Sequence, residues 1–408
     1  MRLTSGLKTG LALTAILMAS TAQVAAEDRT APIRIGVLTD MTGLYNQVVG
    51  EGSVIAVNMA IEDFGGKVRG LPIEVLSADT QNKVDVTTGV AREWIETQGV
   101  DLFIDVPISS GTLAVNKMVK DHDRLLFSNA GTGDLGGREC NGHSVQWNWD
   151  NYSMAAALTN ALLAEGSKNW FYLTADYTFG HDLEGISANI VKESGGTVVK
   201  AIRMPLGAAD QSAAALEVGG SDADVIGLAN GGTDTQNSIK QLAEFGVSEA
   251  SGKKIAAFVL SQNDIDGAGL DLAGGLYVPM PFYWDMNEAT REWSKRFMER
   301  SGGRPPSYQQ AGVYSSVTHY LKSLENASSS DGADVIATMR ATPIDDKVLG
   351  KGELRADGRT TFPMYLFQVK TPEESTARWD YLKLIREVPA EQVLRAPGTS
   401  ECSLLTSN

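Results

Sequence analysis

The amino-acid sequence predicts an α/β protein made of two doubly wound parallel-sheet lobes joined by a multi-crossing hinge. Three observations lead there. The chain has 408 residues, beyond the roughly 250 to 300 at which a single core stops growing. From Ile33 onward, short apolar runs alternate with helical periodicity, as βα units of a parallel sheet do. That rhythm breaks in a stretch holding Cys140, Trp147 and Trp149, and then restarts.

The first unit opens with a strand from Ile33 to Leu38. Val54, Val57, Ile61 and Phe64 follow at steps of three, four and three, which places them on one helical face against the sheet. Leu71 to Ala78 reads as a strand, Val84 to Gln98 as a helix, Leu102 to Val106 as a strand, Thr112 to Asp121 as a helix and Leu125 to Ser128 as a strand. The second series runs through helix Met154 to Ala164, strand Trp170 to Thr174, helix Phe179 to Glu193 and strand Thr197 to Met204. It continues with helix Ser212 to Val218, strand Val225 to Leu228, helix Thr233 to Phe245, strand Ile255 to Leu260 and strand Leu276 to Val278. Helices Glu288 to Arg300 and Tyr308 to Ala327 come too late to found a third domain, so they are expected to return to the first lobe. This order predicts crossings near Trp147 to Asn151, Leu276 to Phe282 and Thr342 to Leu349. The N-terminal lobe is then 27–147 and 279–343, the C-terminal lobe 148–278 and 344–370, and 371–408 a C-terminal extension lying across the body.

Composition narrows the function classes. A hydrophobic fraction of 43% with 21% charged residues excludes disorder for most of the length. The excess of 50 acidic over 35 basic side chains, a net charge of −15, repels phosphate backbones and anionic lipid, so no nucleic-acid partner is expected. Residues 1–26 read as a cleavable export signal: Arg2 and Lys8 precede the apolar run Leu11 to Ala19, and Val24-Ala25-Ala26 ends it with small residues. The expected address is the periplasm. Two cysteines in an exported chain, Cys140 and Cys402, are most simply a disulfide, with two unpaired buried thiols as the alternative. Neither they nor His122, His143, His181 and His319 show ligand spacing, so no metal and no cofactor is expected.

The loops after the strands are polar, small and rich in hydroxyls. Pro107-Ile108-Ser109-Ser110-Gly111-Thr112 stands before a helix whose free N–H groups and dipole favour an anion; the alternative is an ordinary N-cap. Ser128-Asn129-Ala130-Gly131-Thr132-Gly133 adds small residues that a ligand can approach closely. In the second half, Tyr177 and Asn230 occupy corresponding loops, where an aromatic lid or plain turn residues both fit.

The segments Ile35 to Tyr45, Asp105 to Ser110, Thr174 to His181 and Pro281-Phe282-Tyr283-Trp284-Asp285 together resemble the leucine/isoleucine/valine-binding-protein family, the type I periplasmic receptors of ABC importers. The likeness runs through nearly the whole mature chain. It implies a non-enzymatic receptor, and a monomer is expected. The resemblance implies that it captures a carboxylate-bearing solute between its lobes and hands it to permease subunits in the inner membrane. It also implies a carboxylate grip from Ser109, Ser110, Gly111, Ala130, Gly131 and Thr132, closed over by Tyr177, with Tyr45 and Asn230 nearby. The family's ammonium partner is a glutamate; here the nearest match is Asp264, so the sequence departs from the pattern there. Tyr45 and Phe282 permit a second ligand class, aromatic carboxylates, and presentation of solute to a membrane sensor is a further alternative. A dinucleotide-binding enzyme fits poorly, since Gly50-Glu51-Gly52 is followed by Ile55 where the third glycine belongs.

Overall fold

The computed structural model describes residues 29–248, 251–396 and 399–406. The expected export signal, 1–26, lies outside the described residues. In the first sheet β1 (Ile33–Thr39) is central. The short β2 (Lys67–Val68) turns back antiparallel into β3 (Leu71–Asp79), which pairs in parallel with β1. On the other side of β1 stand β4 (Leu102–Asp105), β5 (Leu125–Ser128) and β6 (Ser144–Val145), giving the order β2-β3-β1-β4-β5-β6. Ile35 stands opposite Val75 in β3 and Leu102 in β4. Every residue of β4 and β5 is buried, which is why Leu-Phe-Ile and Leu-Leu-Phe run without polar alternation.

The second sheet repeats the plan. β7 (Asn169–Ala175) lies between β8 (Thr197–Met204) and β9 (Val225–Ala229), and β10 (Lys254–Ala257) and β11 (Tyr277–Met280) follow. A hairpin, β12 (Ile344–Asp346) with β13 (Gly350–Gly352), precedes two antiparallel strands, β14 (Met364–Val369) and β15 (Leu382–Val388). The full order is β15-β14-β11-β10-β9-β7-β8. Each sheet therefore has a switch point, beside β1 in one and β7 in the other, where successive βα units leave in opposite directions and a crevice opens at the carboxyl ends.

The helices follow the apolar periodicity. Gly50–Phe64 packs against Tyr308–Asn326, so the late helix does return to the first sheet; Ser307 Oγ donates to Val48 O at 2.6 Å and Gln310 Nε2 to Val49 O at 2.9 Å. Val84–Glu93 runs on into a π-helix, Trp94–Gln98, that seats Trp94 against Phe103. Among the described residues no helix is long and apolar enough to cross a membrane.

Four expectations are corrected. The helix expected from Thr112 begins at Ser109. The strand expected to reach Leu260 ends at Ala257, and Phe258 to Leu260 bend away as a buried loop. The chain crosses to the second sheet not at Thr342 to Leu349, where the β12–β13 hairpin sits beside Asp63 and Tyr314, but along Leu354 to Phe362. There Arg359 donates to Gln146 O and Trp149 O at 2.6 and 2.7 Å, and Thr360 Oγ1 to Trp147 O, which stitches this crossing to the first one. Finally, 371–408 does more than lie across the body, because β15 is an edge strand of the second sheet.

Cys140 and Cys402 are bonded, with Cα atoms 5.6 Å apart, and the alternative of free thiols falls away. Leaving β15, the tail lays helix Ala390–Val393 on helix Asn151–Ala164 and sets the Arg395 guanidinium 4.9 Å from the centre of the Tyr152 ring. It then reaches the loop after β5, where Cys140 waits.

Candidate functional site

Loops from the carboxyl ends of both sheets converge on one cavity of about 30 Å³. Tyr45 follows β1, Pro107 follows β4, and Asn129 and Gly131 follow β5. From the second sheet come Tyr177 and Phe179 after β7, Gly232 after β9, and Val259 and Asp264 after β10. Trp149, from the first crossing, and Gln309, from the late helix, complete the polar and aromatic wall. The volume holds about one water, so a solute of several heavy atoms enters only when the loops part.

The loop after β1 is organised by Asp40, whose Oδ1 accepts from Gly43 N at 2.7 Å and Oδ2 from Tyr45 N at 2.9 Å. Burial pushes the Asp40 carboxyl up against the effect of these bonds. Tyr45 is thereby held with its hydroxyl 2.5 Å from that of Tyr177, a bridge between the two sheets' loops. Burial raises the pKa of both phenols, so both stay protonated at neutral pH. Three further hydrogen bonds close the same seam: Asn263 Nδ2 to Gln47 O at 2.9 Å, Gln262 Nε2 to Pro306 O at 2.6 Å and Thr233 N to Leu44 O at 3.4 Å.

The helix Ser109–Asp121 has Ile108 at its N-cap and no side-chain cap, so the serines are not the ordinary cap that was the alternative. Its first N–H groups have no partner within the helix, and they belong to Ser109, Ser110 and Gly111, directly after the Pro107 wall. Ser109 is fully buried and its Oγ has no hydrogen-bond partner. Thr112 turns inward, donating to Val106 O at 2.5 Å and lying 3.0 Å from Ser128 Oγ, which in turn accepts from Ala130 N at 2.9 Å.

Of the residues singled out in the sequence, Tyr45, Gly131, Tyr177 and Asp264 meet on the cavity wall. Ala130 stands between two wall residues without lining the cavity, and Ser109, Ser110 and Gly111 follow Pro107 within one helical turn without lining it either. Thr132 is turned away, its Oγ1 accepting from Asp134 N at 3.3 Å. Asn230 is occupied inside its own lobe by Ser238 Oγ at 2.9 Å and Thr235 Oγ1 at 2.7 Å. Phe282 is buried edge-on against Trp293, with ring centroids 5.8 Å apart, and Tyr283 and Trp284 both donate to Trp379 O in the tail. Packing between crossing and tail accounts for that aromatic run.

Asp264 is committed as well. Its Oδ2 accepts from Ser261 N and Oγ, both at 2.9 Å, its Oδ1 from Gln236 Nε2 at 3.2 Å, and burial raises its pKa. Among the described residues no Lys, Arg or His lines the cavity. Sequence reading missed Asn129, although it lies in a loop already chosen, and missed Trp149 and Gln309, which only the crossing and the returning helix bring close. His181 pairs with Asp176 at 2.7 Å on the exposed face, away from the wall.

A family model described as periplasmic binding protein matches residues 32–376. The chain belongs to that family. As a periplasmic binding protein it is 39% identical to the crystal structure of a periplasmic binding protein from Burkholderia mallei, with a TM-score of 0.88 over 91% of this chain and 99% of that one. It is 36% identical to a branched chain amino acid ABC transporter periplasmic ligand-binding protein from Burkholderia xenovorans, with a TM-score of 0.82 over 91% and 100%. Leu/Ile/Val-binding protein homolog 6 of Brucella melitensis is 22% identical over 379 residues, covering 90% of this chain and 94% of the relative.

Proposed function

We propose that this protein is the substrate-binding component of an ABC import system of the branched-chain amino-acid type. It is exported through its signal segment to the periplasm, takes a small carboxylate-bearing solute between its lobes, and delivers it as a monomer to permease subunits. The observation that carries the reading is the uncapped first turn of the helix Ser109–Asp121, which offers unused N–H donors to an anion beside the cavity at the switch point of the first sheet. The likeness to the Burkholderia xenovorans protein supports the transport context.

A second reading of the ligand rests on the wall itself. Tyr45, Trp149, Tyr177 and Phe179 surround the cavity, and Asp264 has both oxygens engaged within its own lobe. A flat aromatic acid gains about 0.5 to 1.5 kcal/mol per ring pair beyond buried area and needs no ammonium partner. Isothermal titration of the mature protein with leucine, valine, benzoate and 4-hydroxybenzoate separates the two. Binding of the amino acids alone supports the first ligand class, and binding of the benzoates alone the second. Amides that bind as tightly as the acids would remove the carboxylate from the reading. Ser110→Ala and Tyr177→Ala should each weaken the best ligand; if neither does, the cleft is misplaced.

A further inference from the structure

Asp105 ends β4 just before Pro107 and is fully buried. Its backbone is left-handed, with φ +82°, and so is that of Val106, with φ +42°. Non-glycine residues hold such conformations only where the surroundings over-determine them. Here the surroundings are Asn129 on the cavity wall. Asn129 N donates to Asp105 O at 2.5 Å, and Asn129 Nδ2 donates to Asp105 Oδ1 at 2.6 Å, so backbone and side chain of this wall residue are both fixed by Asp105. The other carboxyl oxygen, Oδ2, is buried. The Asp105 carboxyl is faced by the Thr39 hydroxyl and the Asp40 carboxylate from the end of β1 and by Ser53 from the helix Gly50–Phe64; the two hydroxyls act against the upward push of burial. Among the described residues no cation stands against Asp105, and the charged group that faces it is Asp40.

We propose that Asp105 is a positioning residue for the ligand wall, and that its carboxyl takes a proton from solvent when an anionic solute enters the cavity that Asn129 lines. An anion there adds negative charge near a buried carboxylate that, among the described residues, no cation faces, and like charges at short range disfavour ionisation. The proton ends on the Asp105 carboxyl. Burial already lifts the Asp105 pKa to about 6, and a bound anion would raise it further toward neutral pH. The proposal rests on the carboxylate reading of the cavity.

The test is titration calorimetry of the full mature protein with benzoate and with leucine, run at pH 5.5 and 7.5 in buffers of different ionisation enthalpy. The wild type should take up a proton per anion bound near pH 7, and its affinity for benzoate should fall by about tenfold or more between the two pH values, within the limit of about tenfold per pH unit for one proton. Asp105→Asn keeps an acceptor for Asn129 and should abolish both effects. Ser53→Ala keeps the carboxyl but removes a facing hydroxyl, and should move the midpoint of the affinity change to higher pH. Proton uptake that persists in Asp105→Asn, or none in the wild type, overturns the proposal. Should neither probe bind at any pH, the receptor reading has failed. The Asp105 assignment is then decided without ligand: Asp105→Asn must flatten the change of melting temperature between pH 5.5 and 7.5, and an unchanged slope overturns it.

Discussion

Gly232 stands at φ +58°, and a Cβ there would lie 2.3 Å from Leu44 O on the opposite loop. Both facts require glycine, but the second concerns the seam between the sheets and not the stability of either. Gly232→Ala is therefore expected to weaken affinity for the best ligand by at least about tenfold while lowering stability by only about 1 to 2 kcal/mol, measured by calorimetry and thermal unfolding side by side. Asp105 gives a second expectation at this scale. Its native pKa of about 6 lies above the unfolded value of about 4, so the folded chain holds more proton between those values and loses stability as pH rises through them, by about 3 kcal/mol in all. Asp105→Asn should be the more stable protein at pH 7.5 and lose that advantage near pH 4; equal stability of the two at pH 7.5 would sink the argument.

At the scale of elements, the run Phe282-Tyr283-Trp284 is a packing motif at a crossing. Tyr283 Oη donates to Trp379 O at 2.5 Å and accepts from Tyr381 N at 3.1 Å, joining the crossing after β11 to the turn before β15. Tyr283→Phe should cost about 1 to 3 kcal/mol by orphaning these buried groups and leave ligand affinity unchanged. The βα units were legible because covered parallel strands are continuous apolar runs and helices repeat at their own period, and the loops named from that order, at Tyr45, Gly131 and Tyr177, do meet at the cavity. β14 and β15 were not legible: they pair antiparallel, with no helix between them, and β15 presents Leu384 and Ile385 outward on a sheet edge. Gln309 and Trp149 carried no local signal, since only tertiary return brings them to the wall.

For the whole molecule, the chain crosses at Gln146 to Trp149, after β11 and along Leu354 to Phe362, and the first and last crossings lie together, bonded through Arg359 and Thr360. Closely set crossings allow bending about one line and resist twisting. Small-angle scattering should show a smaller radius of gyration with a saturating ligand than without; identical curves would count against a hinge. Arg359→Lys, which loses the fork that reaches two carbonyls of the first crossing, should loosen the hinge and lower the melting temperature.

The bond between Cys140 and Cys402 adds a tie of another kind, and its place in the chain sets when it can exist. Cys402 follows every described strand of both sheets, so in a polypeptide made from its amino end all of those strands have emerged before the second thiol does. The bond therefore selects for chains whose tail has found the loop after β5. A chain kept reduced should still assemble both sheets and show native far-ultraviolet dichroism. Its tail beyond β15 should be the first segment cut by a protease, and oxidation should restore resistance without any change in the sheets.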